Sequence, residues 1–315
     1  MTGGGGHGGT FSADSDGSGD RPTFARYREW MSARGFRPSR RLGQNFLLDP
    51  SLHRALIAEM DIRSSDVVLE LGAGLGFLTR ELCAKAGSVV AVEIDSRLCD
   101  ILRTERSKFP EEGENLRLIE GDALDGDQLS IEAIAEVARE CERLGTERWL
   151  CAANLPYSIA GPILAAMALA EAPADTAALM VQYELGRRIA AEASQSEYGG
   201  LSVLVQAVWE VRIARRIGRE VFRPRPLVDS AILVLSPRPD GIGGRPLAER
   251  RAFATWIRRV FRGRRKRIAT TLTAVAGEHR DQALALISSD HANSRPDGLT
   301  WREHLAVWEA IRGFV

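Results

Sequence analysis

The chain has 315 residues, enough for one large domain with an appendage or for two domains. Its 44% hydrophobic and 27% charged residues exclude an extended disordered polymer and allow a sizeable core. The 42 basic residues balance 42 acidic ones, so net charge alone points to no anionic partner. Cys83, Cys99, Cys141 and Cys151 show no CxxC and no metal-ligand spacing, which predicts reduced thiols, no metal centre and a cytosolic setting. No run approaches the ~20 apolar residues that span a bilayer. The longest candidate, 159–170, is interrupted by Gly161 and Pro162, so no membrane partner is expected.

Residues 1–22, rich in Gly, Ser and Asp, predict a disordered leader. From Thr23 to Arg41 the chain turns basic and aromatic. Tyr27, Trp30 and Phe36 lie among Arg26, Arg28, Arg34, Arg37, Arg40 and Arg41, which suggests a short helix and an arm that folds over a ligand. Asp49-Pro50 reads as a helix cap and first helical position, followed by Leu52, Leu56 and Ile57 at helical spacing. The loop before it, Gly43-Gln44-Asn45-Phe46, has no propensity reason to carry both Gln44 and Asn45. Val67–Leu71 predicts a strand, and Gly72-Ala73-Gly74-Leu75-Gly76 a tight turn into a helix through Leu82. Strand, glycine turn and helix begin a doubly wound α/β fold. A dinucleotide fingerprint wants a glycine at the sixth position, where this chain has Phe77, and Glu70 precedes the first glycine by two. That variant suits a small adenosyl ligand without a pyrophosphate.

The next strand, 89–92, ends in Glu93-Ile94-Asp95, and Glu93 is placed to bind both ribose hydroxyls. A third, 116–119, ends in Glu120-Gly121-Asp122-Ala123, where Asp122 can accept from an adenine amine. Helical spacing over 131–144 leads to the apolar run 149–153 and then to Asn154-Leu155-Pro156-Tyr157 at the carboxyl edge of the sheet. Those four residues suit the presentation of an exocyclic amine: Asn154 accepts from its N–H, Pro156 fixes the turn beside a carbonyl, and Tyr157 offers a stacking face. Further on, a helix is predicted at 163–170, a strand at 176–182, a helix at 185–193, a turn at 197–202 opening another helix, and closing strands at 211–217 and 231–235. Between the closing strands, Pro224 and Pro226 hold an extended loop that would expose Phe222 among arginines as a second stacking platform. After a Gly-rich linker at 241–244, Phe253, Trp256, Ile257, Val260 and Phe261 follow helical spacing. They run into a segment in which seven of ten residues, Arg258 to Arg267, are basic. A second basic group comprises Arg212, Arg215, Arg216, Arg219, Arg223 and Arg225, so a neutral total hides a polarised surface of the kind that binds nucleic acid.

Taken together, Gly43–Leu47, Glu70–Gly76, Glu93–Asp95, Gly121–Ala123, Asn154–Tyr157, Gln182–Arg188, Tyr198–Val203, Val221–Ala231 and Phe261–Lys266 resemble the ribosomal RNA adenine N6-dimethyltransferases of the KsgA type. The motifs agree in sequence, spacing and order over roughly residues 38–310. The resemblance implies a Rossmann-like S-adenosylmethionine-dependent methyltransferase domain (residues 23–240) and a small all-α RNA-binding domain (residues 245–315). It implies S-adenosylmethionine as cofactor and, as partner, the small ribosomal subunit, in which two adjacent adenosines of the 3′-terminal hairpin of the rRNA would be dimethylated. A monomer is expected. Carried over by residue, Asn45, Leu47, Gly72 and Gly74 would contact the methionine and backbone side of the cofactor, Glu93 the ribose, Asp122 with Ala123 the adenine. Asn154 would sit at the junction of cofactor and target, with Leu155, Pro156, Tyr157 and Phe222 around the base. Arg223, Arg225, Arg264, Arg265 and Lys266 would hold RNA. The chain departs from the pattern at Ala73, Ser158 and Gly200, where Pro, Asn and Arg are usual, and in its leader. Two alternatives share some of these features: a large-subunit methylase of the antibiotic-resistance type, and an assembly factor that keeps the fold without turnover.

Overall fold

The computed structural model describes residues 31–39, 41–106 and 114–314. The leader expected over 1–22, and Arg26, Tyr27, Arg28, Trp30 and Arg40 of the basic aromatic stretch, lie outside the described residues. Strand β1 (Phe46–Leu47) and helix α1 (Pro50–Ala58) precede β2 (Val67–Leu71), α2 (Phe77–Cys83), β3 (Ser88–Glu93), α3 (Ser96–Arg106) and β4 (Leu116–Glu120). A small hairpin, β5 (Leu124–Asp125) with β6 (Gln128–Leu129), leads into α4 (Ile131–Leu144), β7 (Trp149–Asn154), α5 (Ala160–Ala168), β8 (Thr176–Gln182), α6 (Tyr183–Ala190) and α7 (Gly200–Val208). Then come β9 (Trp209–Ile217), β10 (Phe222–Arg223) and β11 (Ser230–Pro237). The C-terminal helices are α8 (Leu247–Arg262), α9 (Ile268–Ala276), α10 (Arg280–Ala285), α11 (Ser289–Asn293) and α12 (Trp301–Ile311).

The described residues form a seven-stranded sheet in the order β4-β3-β2-β7-β8-β11-β9. Its first five strands are parallel, and β11 runs antiparallel to both β8 and β9. Parallel strands covered on both faces are mostly apolar, and Val67–Leu71 is buried at every residue, with Glu70 the one polar side chain in it. The pleat sorts these residues into two layers. Leu69, Leu71, Cys151 and Leu179 face one core, while Val68, Leu150, Ala152 and Met180 face the other with Leu56 of α1 and Leu82 of α2. From β2 the chain winds outward to β3 and β4, then returns to place β7 on the other side of β2. That reversal is a topological switch point, and the crevice beyond its carboxyl ends is where such folds bind ligands. Register places Glu70 beside Ala152, so the loop after β2 and Asn154 at the end of β7 flank one opening.

Most expected elements form, with shifted ends. Helix α5 starts at Ala160, before Pro162, because proline is tolerated in a first turn whose N–H groups have no intrahelical partner. Asp49 caps α1 as expected, accepting from the Ser51 N–H at 2.9 Å. The C-terminal helices extend the first core: Phe253, Trp256, Ile257, Leu272 and Trp308 belong to the same apolar cluster as Leu69 and Leu179. Gly200 explains how α8 approaches α7, since a Cβ there would stand 3.2 Å from Ile257 and 3.4 Å from Phe261. No described helix is long and apolar enough to cross a membrane.

Candidate active site

The opening at the switch point is built from loops that the strands deliver to one edge. After β2, Gly72, Gly74 and Gly76 all have positive φ (81°, 58° and 77°), which L side chains rarely adopt. A Cβ on Gly74 would also meet the Phe46 ring at 3.3 Å. This turn therefore presents bare backbone to the cleft. At the end of β3, Glu93 accepts the Gly74 N–H (2.8 Å) and the Asp95 N–H (2.9 Å), so its carboxylate is pinned at the mouth of the glycine turn. Asp122, after β4, is exposed and lines the same cleft, with one carboxylate oxygen accepting the Leu124 N–H at 3.0 Å.

The segment before α1 forms the opposite wall. Phe36 and Phe46 pack edge to face, 6.0 Å between centroids, and with Met31 they cover Leu75 of the glycine turn and Leu98 and Ile101 of α3. Gln44 joins this arm to the sheet: its Oε1 accepts the Ser39 N–H (2.7 Å) and its Nε2 donates to Asp95 (3.0 Å). Asp95 is gripped in turn by the Arg97 guanidinium (2.6 and 2.9 Å), which lies over the Phe36 ring. Asn154 Nδ2 donates to the Asn45 carbonyl at 3.0 Å, so the arm and the end of β7 meet at the residue expected to hold the target amine. Pro156 carbonyl accepts from the Ile159 N–H (3.1 Å), which rolls the chain into α5. The Tyr157 hydroxyl sits 2.6 Å from Ser230 Oγ, fixing the ring at the rim.

Burial dominates the electrostatics. It pushes the Glu70 carboxyl up to about 8, with Glu93 adding to the rise, and Glu70 Oε2 has no hydrogen-bond partner. Burial also raises Glu93, opposed by the N–H groups of Asp95 and Gly74. The Arg97 guanidinium holds Asp95 below the usual carboxylate range. His53 lies on the same cleft wall, stacked on Phe77, and burial lowers it to about 4. A cationic ligand with a diol would fit these groups: the buried Glu93 carboxylate, exposed Asp122, the backbone of a glycine turn, and Asn154 at the open end.

Residues 35–300 match the family model described as ribosomal RNA adenine dimethylase. The chain belongs to that family. It is accordingly an rRNA adenine dimethyltransferase. Among curated relatives, the ribosomal RNA small subunit methyltransferase A of Chlorobaculum parvum is 35% identical over 233 residues, 74% of this chain and 77% of the relative. The protein of the same name from Pelotomaculum thermopropionicum is 36% identical over 248 residues, 78% of this chain and 81% of the relative. The crystal structure of a dimethyladenosine transferase from Plasmodium falciparum shares the fold, with a TM-score of 0.68 at 23% identity over 84% of this chain and 96% of that one. The 23S rRNA methyltransferase ErmE has a TM-score of 0.58 at 25% identity, covering 85% of this chain and 100% of the other.

In this dimethylase the residues Asn45, Leu47, Gly72, Gly74, Glu93, Asp122, Ala123, Asn154, Leu155, Pro156 and Tyr157 all line one cleft. Phe222 does not join them. It is 0% exposed and packs in the second core with Leu47, Leu56 and Ile217, so the expected stacking platform is a structural side chain. Its strand β10 pairs with β1, which draws the ring inward rather than out among the arginines. Arg264 also departs from a simple RNA-binding role, since its guanidinium donates to the Ser196 carbonyl (2.7 Å) and to Asp297 (3.1 Å). Arg265, Lys266 and Arg225 are exposed, and Arg223 is half-buried with its guanidinium on the Glu220 and Phe222 carbonyls. Nothing local in the sequence marks a role for Asp95, Arg97 or Ser230, and for Gln44 the polar Gly-Gln-Asn loop is the one sign.

Proposed function

We propose that this dimethylase transfers methyl groups from S-adenosylmethionine to N6 of two adjacent adenosines in the 3′-terminal hairpin of small-subunit rRNA. The observation that carries the reading is the Asn154 side chain, held by the Asn45 carbonyl between the glycine turn and Tyr157. With its amide hydrogen engaged there, Asn154 Oδ1 is directed to accept from an N6 hydrogen, and the Leu155 carbonyl takes the other. An adenine amine is a poor nucleophile because its lone pair is delocalised into the ring. Two acceptors on its hydrogens favour a pyramidal nitrogen with the lone pair aimed along one direction. The bound cofactor supplies an electrophilic methyl group. Glu93 holds the ribose and Asp122 the adenine of that cofactor, while Asn45, Leu47, Gly72 and Gly74 receive its methionine side. Tyr157 stacks on the extruded base and Asn154 positions its amine. The proton leaves after the nitrogen has become acidic, so positioning rather than a strong base carries the rate.

In this reading residues 23–240 are the catalytic unit and 245–315 the RNA-binding unit, acting as a monomer on small ribosomal subunits in the cytoplasm. The small-subunit target is supported by the names of the curated relatives at 35 and 36% identity. The test uses radiolabelled S-adenosylmethionine with small subunits lacking the dimethyladenosines, and large subunits as control. Label recovered as N6,N6-dimethyladenosine from small-subunit rRNA is the expected result. Label in the large subunit alone overturns the target, and tight binding without label overturns the chemistry.

A further inference from the structure

The turn between β10 and β11 carries an apolar tip that the reaction described above does not use. Leu227 is 89% exposed and Val228 43%, although Pro226 before them and Ser230 after them are buried. The tip is held rather than loose. Arg219 donates to the Leu227 carbonyl at 2.7 Å, and the Arg216 guanidinium grips Asp229 at 2.7 and 3.1 Å. The Asp229 carbonyl accepts the Tyr183 N–H at 2.9 Å. This framework holds the leucine at the surface in a fixed place.

Both ends of the turn are tied to the cleft. Arg223 pairs with Phe46, which lines it, and Ser230 Oγ contacts the Tyr157 hydroxyl at its rim. Leu227 stands three residues from Ser230, so its Cα lies within roughly 11 Å of that of Ser230. With Arg216 paired to Asp229, exposed Arg215, Arg219 and Arg225 still outnumber exposed Glu220 in the sequence around the turn and leave it basic. An apolar point inside a basic collar is complementary to a nucleic acid, with phosphates for the guanidinium groups and base faces for the leucine.

We infer that Leu227 is a wedge for the rRNA: it enters the stack where the target adenosine has left it and holds the extruded state open, with Val228 beside it. The inference rests on the proposed reading that the target is an rRNA adenosine. Extrusion of a base leaves an apolar gap between its neighbours, and refilling that gap with a side chain removes the drive for the base to return. It also supplies, from the same turn, the base contact that buried Phe222 does not offer.

The experiment compares wild type, Leu227→Ala and Leu227→Met on small ribosomal subunits lacking the dimethyladenosines. Three quantities are read: subunit affinity by filter binding, 2′-hydroxyl acylation of the target nucleotides with S-adenosylhomocysteine present, and the single-turnover rate of methyl transfer. Leu227→Ala is expected to melt like wild type and to bind within about threefold of it. It should lose the acylation enhancement at the target and transfer at least about tenfold more slowly, while Leu227→Met stays near wild type. Unchanged acylation and rate in Leu227→Ala overturn the wedge, as does a loss of affinity with acylation retained, which marks a contact with a ribosomal protein instead. A wild-type enzyme that leaves small-subunit rRNA unlabelled overturns the functional reading along with it. Labelled rRNA with an unaffected Leu227→Ala overturns the wedge alone.

Discussion

The Asn154 side-chain amide donates to the backbone carbonyl of Asn45 at 3.0 Å, across 109 residues of sequence. This bond decides which face of the amide is left for the substrate, because the nitrogen is engaged and only the oxygen can accept. Asn154→Ala should lower methyl transfer by about 10²–10³-fold, the range seen when one positioned hydrogen-bonding group is removed from an active site. RNA affinity should stay nearly unchanged, since the residue lies inside the cleft. Asn154→Asp should be as inactive, because a carboxylate would face the Asn45 carbonyl with no hydrogen to give. Transfer rates and filter binding on the same preparations check both.

Gln44 fastens the arm over the glycine turn through Asp95, which Arg97 keeps ionised. A hydrogen bond to a charged group contributes about 1.5–3 kcal/mol. Gln44→Ala should therefore weaken S-adenosylmethionine binding by roughly tenfold or more, measured by calorimetry, with a smaller effect on melting. Gln44→Glu should be worse, because it sets two carboxylates against each other.

Glu70 should make stability depend on pH in the direction opposite to an ordinary paired carboxylate. Its carboxyl ionises near 4.5 when unfolded and near 8 when buried in the native chain. Between those values the native state holds a proton that the unfolded state has lost, so this group's contribution to stability falls as pH rises from about 4.5 to about 8. Glu70→Gln keeps the shape without the charge. Melting of the cofactor-free protein should show the Gln variant gaining on wild type across that window; parallel melting curves from pH 5 to 8 would remove the buried proton from the account.

The basic run splits into two roles. Arg265 and Lys266 are exposed, whereas Arg264 ties the end of α8 to the Ser196 carbonyl and Asp297. Replacing Arg265 and Lys266 by Gln should weaken RNA binding and reduce the slope of log affinity against log salt by about 0.7–0.9 per lost phosphate contact. Arg264→Gln should lower the melting temperature instead, with a smaller change in that slope.

Sequence alone determined the parallel strands, the glycine turn, and the order in which Glu93, Asp122 and Asn154 arrive at strand ends. Those features are local: an apolar run of five residues, a Gly-x-Gly spacing and an acid at the end of a run mean the same thing wherever the chain goes. Tertiary structure decided what depends on distant partners. Phe222 looked exposed between arginines, but pairing of β10 with β1 turns it into the core. Gly200 stands where the resemblance leads one to expect Arg, and it is the space that Ile257 and Phe261 of α8 require. Gln44 had no local reason to be there, and its partner Asp95 lies 51 residues away. Leu227 carries no sign of its exposure in sequence, because only the anchoring of Pro226, Asp229 and Ser230 by other elements turns it outward. Composition and spacing fix what a segment can form; which face it buries is set by surfaces folded from elsewhere in the chain.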